Sequence, residues 1–237
     1  MERLEMILAS SWYAEIAETF EKCFIRDDRY LLLFDGIGVT IKVSLLAAFM
    51  GLIIGFIIAE CNLSKHKFLN IIGKIYTDVI RGTPSVTQLM IIYFVVFATV
   101  NWEKWIIAAI AFSINSGAYV SEIIRAGILS IDKGQTEAGR SLGLSKSQTM
   151  ASIIIPQAFK NIFPAMCNEF ITLIKETAIV GYVGLVDIQK AGDFIKSATY
   201  EAFMPLIATA IIYFVLIKIL TIGLGLIEKR LRKSDKR

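Results

Sequence analysis

Between residues 36 and 59 the chain reads GIGVTIKVSLLAAFMGLIIGFIIA, interrupted only by Lys42. A run of that length spans a bilayer core of about 30 Å as a helix. An open sheet or a loop at that depth would strand its backbone polar groups, so a spanning segment must be helical or belong to a closed barrel. Barrel strands are roughly 9–11 residues long and alternate strictly in polarity, and nothing here alternates that way. With 55% hydrophobic residues and a mean hydropathy of +0.62, the 237-residue chain reads as an all-α polytopic membrane protein rather than a soluble one.

Five spans are expected, at about 33–59, 70–99, 104–127, 153–185 and 203–227. Within the second, Gly82, Thr83 and Pro84 break the helix locally and free backbone groups toward a cavity. Trp102 and Trp105 flank the following loop and suit interface anchors. The first 29 residues lack the basic start and long apolar core of a signal peptide. Leu4, Leu8, Trp12, Ile16, Phe20 and Phe24 recur every four residues instead, the pattern of an amphipathic helix on a membrane surface or on the bundle. No repeat or low-complexity tract divides the chain, so one domain is expected over 1–237, with residues 1–29 as an N-terminal extension.

Flanking charge sets the orientation. Lys65, Lys67 and Lys74 follow the first span with no acid among them, and the tail from residue 228 has six bases against two acids. The N-terminal 29 residues instead hold seven acids and four bases, and the loop from Asp187 to Glu201 has three acids and two lysines. The expectation is an outside N-terminus and a cytoplasmic C-terminus. The connection between spans three and four then faces the cytoplasm.

Three scattered cysteines (Cys23, Cys61, Cys167) and one histidine (His66) provide neither a disulfide framework nor a metal-ligand spacing. No nucleophile–base pair is evident, and no enzymatic activity is expected of the chain. No Gly-x4-Gly-Lys-Ser/Thr phosphate loop is present either, so an ATPase activity would have to reside elsewhere.

The cytoplasmic connection contains TEAGRSLGLSKSQTMASIIIPQAF, residues 136–159. Thr136 or Ser141 is a candidate cap, Glu137, Ala138 and Arg140 favour helix, and Gly143 ends it with φ > 0. Ser145 then caps a second helix that enters the membrane at Pro156. A short helix lying across that face fits a groove on a partner; an ordinary solvated hairpin fits the spacing equally.

The stretch resembles the EAA loop of permease subunits of binding-protein-dependent ABC importers, whose pattern is E-A-A-x3-G-x9-I-x-L-P. Glu137, Ala138, Gly139, Gly143, Ile153, Ile155 and Pro156 keep every spacing, with Gly139 in place of Ala and Ile155 in place of Leu. Gly139 costs up to about 1 kcal/mol of helix propensity and is expected to loosen the helix. Residues 78–94 (DVIRGTPSVTQLMIIYF), 115–143 and 164–185 are similar to the polar amino acid branch, and the likeness runs from about residue 33 to 231.

The resemblance implies the transmembrane domain of a type I importer: five spans, the N-terminal amphipathic helix and a coupling helix in a loop at about 132–150. Glu137, Ala138, Gly139, Arg140, Leu142 and Gly143 would receive a separate ABC ATPase subunit, which binds the ATP and Mg; no cofactor is expected on this chain. The permease would pair with a second copy or a paralogue in the bacterial cell (inner) membrane. An extracytoplasmic substrate-binding protein would deliver the amino acid, and no nucleic acid is involved.

Charges within spans are expensive and mark either a pathway or a pairing. Glu169 and Glu176 are seven residues apart, on one helical face with Thr172 between them, which suits a cationic group. Glu176 is equally placed to pair with Lys175 or another span. In the resembling permeases the two positions are acidic in importers of basic amino acids, with Asp commoner at the second. Gln88 and Asn115 are suited to bond either a substrate or a neighbouring helix. Asp78 and Arg81, three apart, are expected to pair with each other; carboxylate binding by Arg81 is the weaker option. The reading is an importer subunit for a polar amino acid, with arginine, lysine or histidine favoured. Glutamine, glutamate or cystine is the alternative, and a self-contained carrier or channel the lesser one.

Overall fold

The computed structural model describes residues 12–233. The proposed N-terminal periodicity therefore falls partly outside the described residues, at Leu4 and Leu8. Residues 12–20 are helical and end in a π-turn, Glu21–Ile25. An elbow follows in which Asp27 and Asp28 both take positive φ. Cys23 and Phe24 of the π-turn are buried, whereas Trp12, Tyr13 and Phe20 are exposed.

Helices account for the architecture, and no strand occurs among the described residues. They are α1 (Tyr30–Leu63), α2 (Lys67–Arg81), α3 (Ser85–Ile91, prolonged by a π-turn, Ile92–Val96) and α4 (Lys104–Leu129). Next come α5 (Lys133–Ser141), α6 (Lys146–Thr149), α7 (Ile155–Glu176), α8 (Ile188–Thr199) and α9 (Phe203–Lys233). A π-turn, Met150–Ile154, joins α6 to α7, and a 3₁₀ segment, Thr177–Val183, follows α7.

Three helices, α1, α4 and α9, are long and apolar enough to cross a membrane by themselves. The α2–α3 pair qualifies as a fourth element, bent by 105°. The expected break at Gly82–Pro84 is thus a sharp elbow rather than a kink in a straight span. The remaining expected span, α7, carries Lys160, Asn161, Asn168 and Glu169 among its apolar residues, and length and composition alone do not make it a fifth. Its expected reach to 185 is shortened: regular helix stops at Glu176, and the 3₁₀ segment ends at Gly184, in the left-handed region. The expected loop from Asp187 to Glu201 contains α8, which is capped by the Asp187 carboxylate accepting from the Gln189 and Lys190 amides.

Helix α4 forms the centre of the bundle. Two thirds of its most apolar window is buried, against 28% for α1 and none for α9. The α1–α4 seam is built from small residues. Ala47, Gly51, Gly55 and Ala59 recur every four positions along α1, and all four are buried. A Cβ at Gly55 would lie 2.3 Å from Val120 Cγ1, and one at Gly117 would lie 2.6 Å from Ile54 Cγ2. Apolar surface exerts little drive toward association inside lipid, so close backbone approach supplies the packing there. Around this seam Val43, Leu89, Phe112, Leu173 and Val180 form the main core.

The α5–α6 segment leads into α7 and α8 follows it, so the two occupy opposite ends of α7. Near α8, Gly36 of α1 meets the Asp187–Ile188 backbone, and Tyr213 of α9 donates to Asp187 Oδ2 at 2.9 Å. Asp187 is fully buried. Large apolar side chains on the outer faces of α1 and α9, Phe49, Phe56, Phe214 and Ile219 among them, are exposed, as a lipid-facing surface requires.

Candidate functional site

At one end of the bundle, α5 and α6 form a braced hairpin. Asp132 caps α5 by accepting from the Gly134 amide, so the cap lies at Asp132 and not at Thr136 or Ser141, which sit inside the helix. The helix ends at Gly143, with φ +84°, and the Leu144 amide donates to Gly139 O while the Gly143 amide donates to Arg140 O. That pair of bonds is a Schellman closure, which needs a left-handed residue at Gly143. Arg140 Nη1 also donates to Leu144 O at 2.7 Å. Ser145 begins α6 with a capping box, its hydroxyl accepting from the Gln148 amide and its own amide donating to Gln148 Oε1.

Gly139 does not loosen this hairpin. A Cβ there would lie 2.7 Å from Thr149 Cγ2 and 3.0 Å from Ile153 Cδ1, so the glycine is what lets α5 lie directly on the α6–α7 junction. The propensity cost expected from the sequence is exchanged for close packing. Gln157 Nε2 reaches Gln135 Oε1, tying the hairpin to α7, and Asn161 Nδ2 reaches Ser130 Oγ, tying the end of α4 to it. Glu137, Ala138, Arg140, Leu142 and Gly143 remain exposed, and Leu142 shows 80% of its surface although it is apolar. The hairpin therefore presents a rigid, solvent-facing knob.

A second group of residues lines the bundle's polar side. Glu169 of α7 is half-buried and accepts from Ser116 Oγ of α4 at 2.9 Å. Successive turns of α4 then place Tyr119, Glu122 and Arg125 on one face. Arg125 holds Glu122 with two hydrogen bonds, at 3.0 and 2.7 Å. Arg81, at the end of α2, has its Nη1 3.9 Å from Glu122 Oε2 and its guanidinium 5.3 Å from the Tyr119 ring centroid. Among the described residues the carboxylate beside Arg81 is thus Glu122, not Asp78. Two helices separated by a bent connection meet here, whereas the i, i+3 rule looked only along α2.

These residues border two clefts. One, of ≈470 Å³, is lined by Glu169, Ala165, Tyr119, Arg81 and Glu122 and extends to Ser130 and Asn161. The other, of ≈620 Å³, continues from Arg81 and Glu122 to Arg125, Asp78, Lys74 and Asn62. Arg81 and Glu122 belong to both. Thr172 is exposed on the same helix as Glu169, and Glu176 is half-buried at the end of α7, where the 3₁₀ segment begins. Neither borders the two clefts.

Gln88 and Asn115 are bonded to each other, Asn115 Nδ2 donating to Gln88 Oε1 at 2.9 Å. Gln88 Nε2 in turn donates to Ile80 O and to the carbonyl and hydroxyl of Thr83. Ile80 and Thr83 flank the elbow, so the side chain of Gln88 satisfies carbonyls that the helix break frees. The contributions of Ser116, Tyr119 and Glu122 were not read from the sequence, because each depends on a partner on another helix; Arg125 bonds Glu122 within α4, an i, i+3 spacing that the sequence does carry.

Residues 51–233 match the family described as binding-protein-dependent transport system inner membrane component. The chain belongs to this family. It is the permease subunit of an ABC importer, a membrane transport subunit and not an enzyme, and in such systems the ATPase is a separate subunit. An arginine transport system permease of Bacillus subtilis is 43% identical over 86% of this chain and 94% of its own length. A putative glutamine transport system permease of Rickettsia bellii is 41% identical over 90% of this chain and 98% of its own. A solved structure described as an amino acid ABC transporter with histidines matches at 42% identity and a TM-score of 0.80, over 87% of this chain and 98% of that one. With these relatives, the permease is placed in the polar amino acid branch. An inward-facing methionine ABC transporter, at 18% identity and a TM-score of 0.72, shares the fold.

Proposed function

We propose that this permease imports a basic amino acid (arginine, lysine or histidine) along the cleft that Glu169 lines. The observation that carries the reading is a half-buried carboxylate on α7, on the wall of a ≈470 Å³ cleft, whose hydrogen-bond partner is a neutral hydroxyl, Ser116 of α4. A charge kept there is costly, and a passing cation offsets that cost. The relatives described with arginine and with histidines are consistent with it.

In this scheme the N-terminus lies outside and the C-terminus in the cytoplasm, and the hairpin knob at Glu137–Gly143 docks the ATPase. An extracytoplasmic binding protein delivers substrate at the α8 end, and two permease chains, identical or paralogous, enclose the path. ATP and Mg are held by the ATPase alone. Closure of the ATPase pair pushes the knob, and the bracing of α5 on α7 carries that motion to the cleft.

Glutamine is the second reading, favoured by the Rickettsia relative's description. Competitive uptake into proteoliposomes holding permease, ATPase and binding protein separates the two. Glu169→Gln should weaken uptake of a cationic amino acid by roughly 1–3 kcal/mol, the scale of a lost charged hydrogen bond, and spare a neutral one. Equal losses for both would withdraw the cationic assignment.

A further inference from the structure

We infer that Arg81 reads the α-carboxylate of the transported amino acid, which restricts the cargo to intact α-amino acids irrespective of the side chain. The inference rests on the cleft being the substrate path and is independent of which amino acid passes. Three observations converge on Arg81. It lines the same cleft as Glu169, from the α2 side. It stands on the wall shared with the second cleft, so a substrate moving from one to the other must pass it. Its guanidinium also retains donor capacity. Glu122 is already held by two close bonds from Arg125, and the Arg81–Glu122 separation is 3.9 Å, beyond hydrogen-bond range. The Arg81 side chain is 44% exposed and held in place by the Tyr119 ring rather than by a bidentate ion pair.

A guanidinium presents a fork of donors that matches a carboxylate in two parallel bonds. Along α4, the six residues from Ser116 to Glu122 rise about 9 Å. That separation suits an amino acid lying along α4 with its side chain toward Glu169 and its carboxylate toward Arg81. Glu122, fixed by Arg125, then lies beside Arg81 to accept from the α-ammonium. Breaking the Arg81–carboxylate bonds is the step that admits the cargo to the second cleft.

The test is direct binding to the detergent-solubilised permease–ATPase complex without the binding protein, which would impose its own selectivity. All twenty radiolabelled amino acids are screened, and each one bound is compared with its decarboxylated amine, agmatine in the case of arginine. Wild type should prefer the amino acid to the amine. Arg81→Gln should weaken the amino acid by roughly 10–100-fold and leave the amine unchanged, and Arg81→Lys should recover part of the loss. The melting temperature of each variant complex serves as the folding control. Equal weakening of acid and amine by Arg81→Gln, or no wild-type preference, overturns the role of Arg81 while leaving the cleft intact as a path. Binding of none of the twenty overturns it together with the cleft reading. Binding of glutamine alone, with the predicted pattern, keeps Arg81 and removes the basic amino acid assignment.

Discussion

Gly139 and Thr149 touch so closely that a single added methyl group on the glycine would lie 2.7 Å from Thr149 Cγ2. The threonine cannot swing away at no cost. Its χ1 is restricted by β-branching, and its hydroxyl donates to Ser145 O at 3.0 Å.

The first prediction follows from that contact. Gly139→Ala gains up to about 1 kcal/mol of helix propensity and loses about 1–3 kcal/mol to overpacking, so packing wins and α5 is displaced. Substrate-stimulated ATPase activity of the reconstituted complex should fall. Adding Thr149→Ser, which removes the methyl and keeps the hydroxyl, should restore it. Full stimulation in Gly139→Ala alone would show that the position of α5 is not critical.

A second prediction separates backbone from charge at Gly143. No atom lies within 4 Å of where its Cβ would be, so only the left-handed backbone penalises a substitution. That penalty is roughly 1–2 kcal/mol for most residues and smaller for Asn and Asp. Gly143→Asn should therefore fold and couple. Gly143→Asp should fold but lose substrate-stimulated ATPase activity, because it adds a carboxylate to the docking knob. If both variants couple normally, the knob does not contact the ATPase at this residue.

The third concerns the α1–α4 seam. Gly55→Ala should lower the denaturation midpoint of the purified protein in detergent, with a cost of about 1–3 kcal/mol from the clash with Val120. Gly38 on the same helix has nothing within 4 Å of its Cβ position and is the control. There Ala should be neutral or slightly stabilising. The added change Val120→Ala should relieve part of the Gly55→Ala defect: it removes the Cγ1 contact at 2.3 Å and keeps the Cβ at 2.6 Å. Equal midpoints for the Gly55 and Gly38 variants would mean the seam does not hold the bundle together.

Features that depend on one stretch of chain were legible in the sequence. The apolar run of α1, the break at Gly82–Pro84, the left-handed Gly143 and the Ser145 cap all follow from local chemistry, and the structure has them. The four-residue stripe Ala47–Gly51–Gly55–Ala59 was visible but silent, because small residues inside an apolar run look like filler until a partner helix lies on them. Arg81 and Glu122 are 41 positions apart, and Ser116 and Glu169 are 53 apart. No periodicity connects such pairs; Asp78 and Arg81 do border one cleft, but the carboxylate nearest Arg81 comes from α4. The role of Gly139 ran against its propensity for a related reason. What decides it is Thr149, on the next helix.

The elbow between α2 and α3 also has a consequence for how the protein is made. Its freed carbonyls at Ile80 and Thr83 are met by Gln88, a residue synthesised almost at once after them. The amide oxygen of Gln88, however, is met by Asn115, deep in α4. A growing chain that has released α3 but not α4 into the membrane carries a bent segment with the Gln88 amide oxygen unanswered. The bend is therefore finished from downstream. Its local geometry is drafted by Gly82–Pro84, and it is sealed only when the middle of α4 arrives beside it.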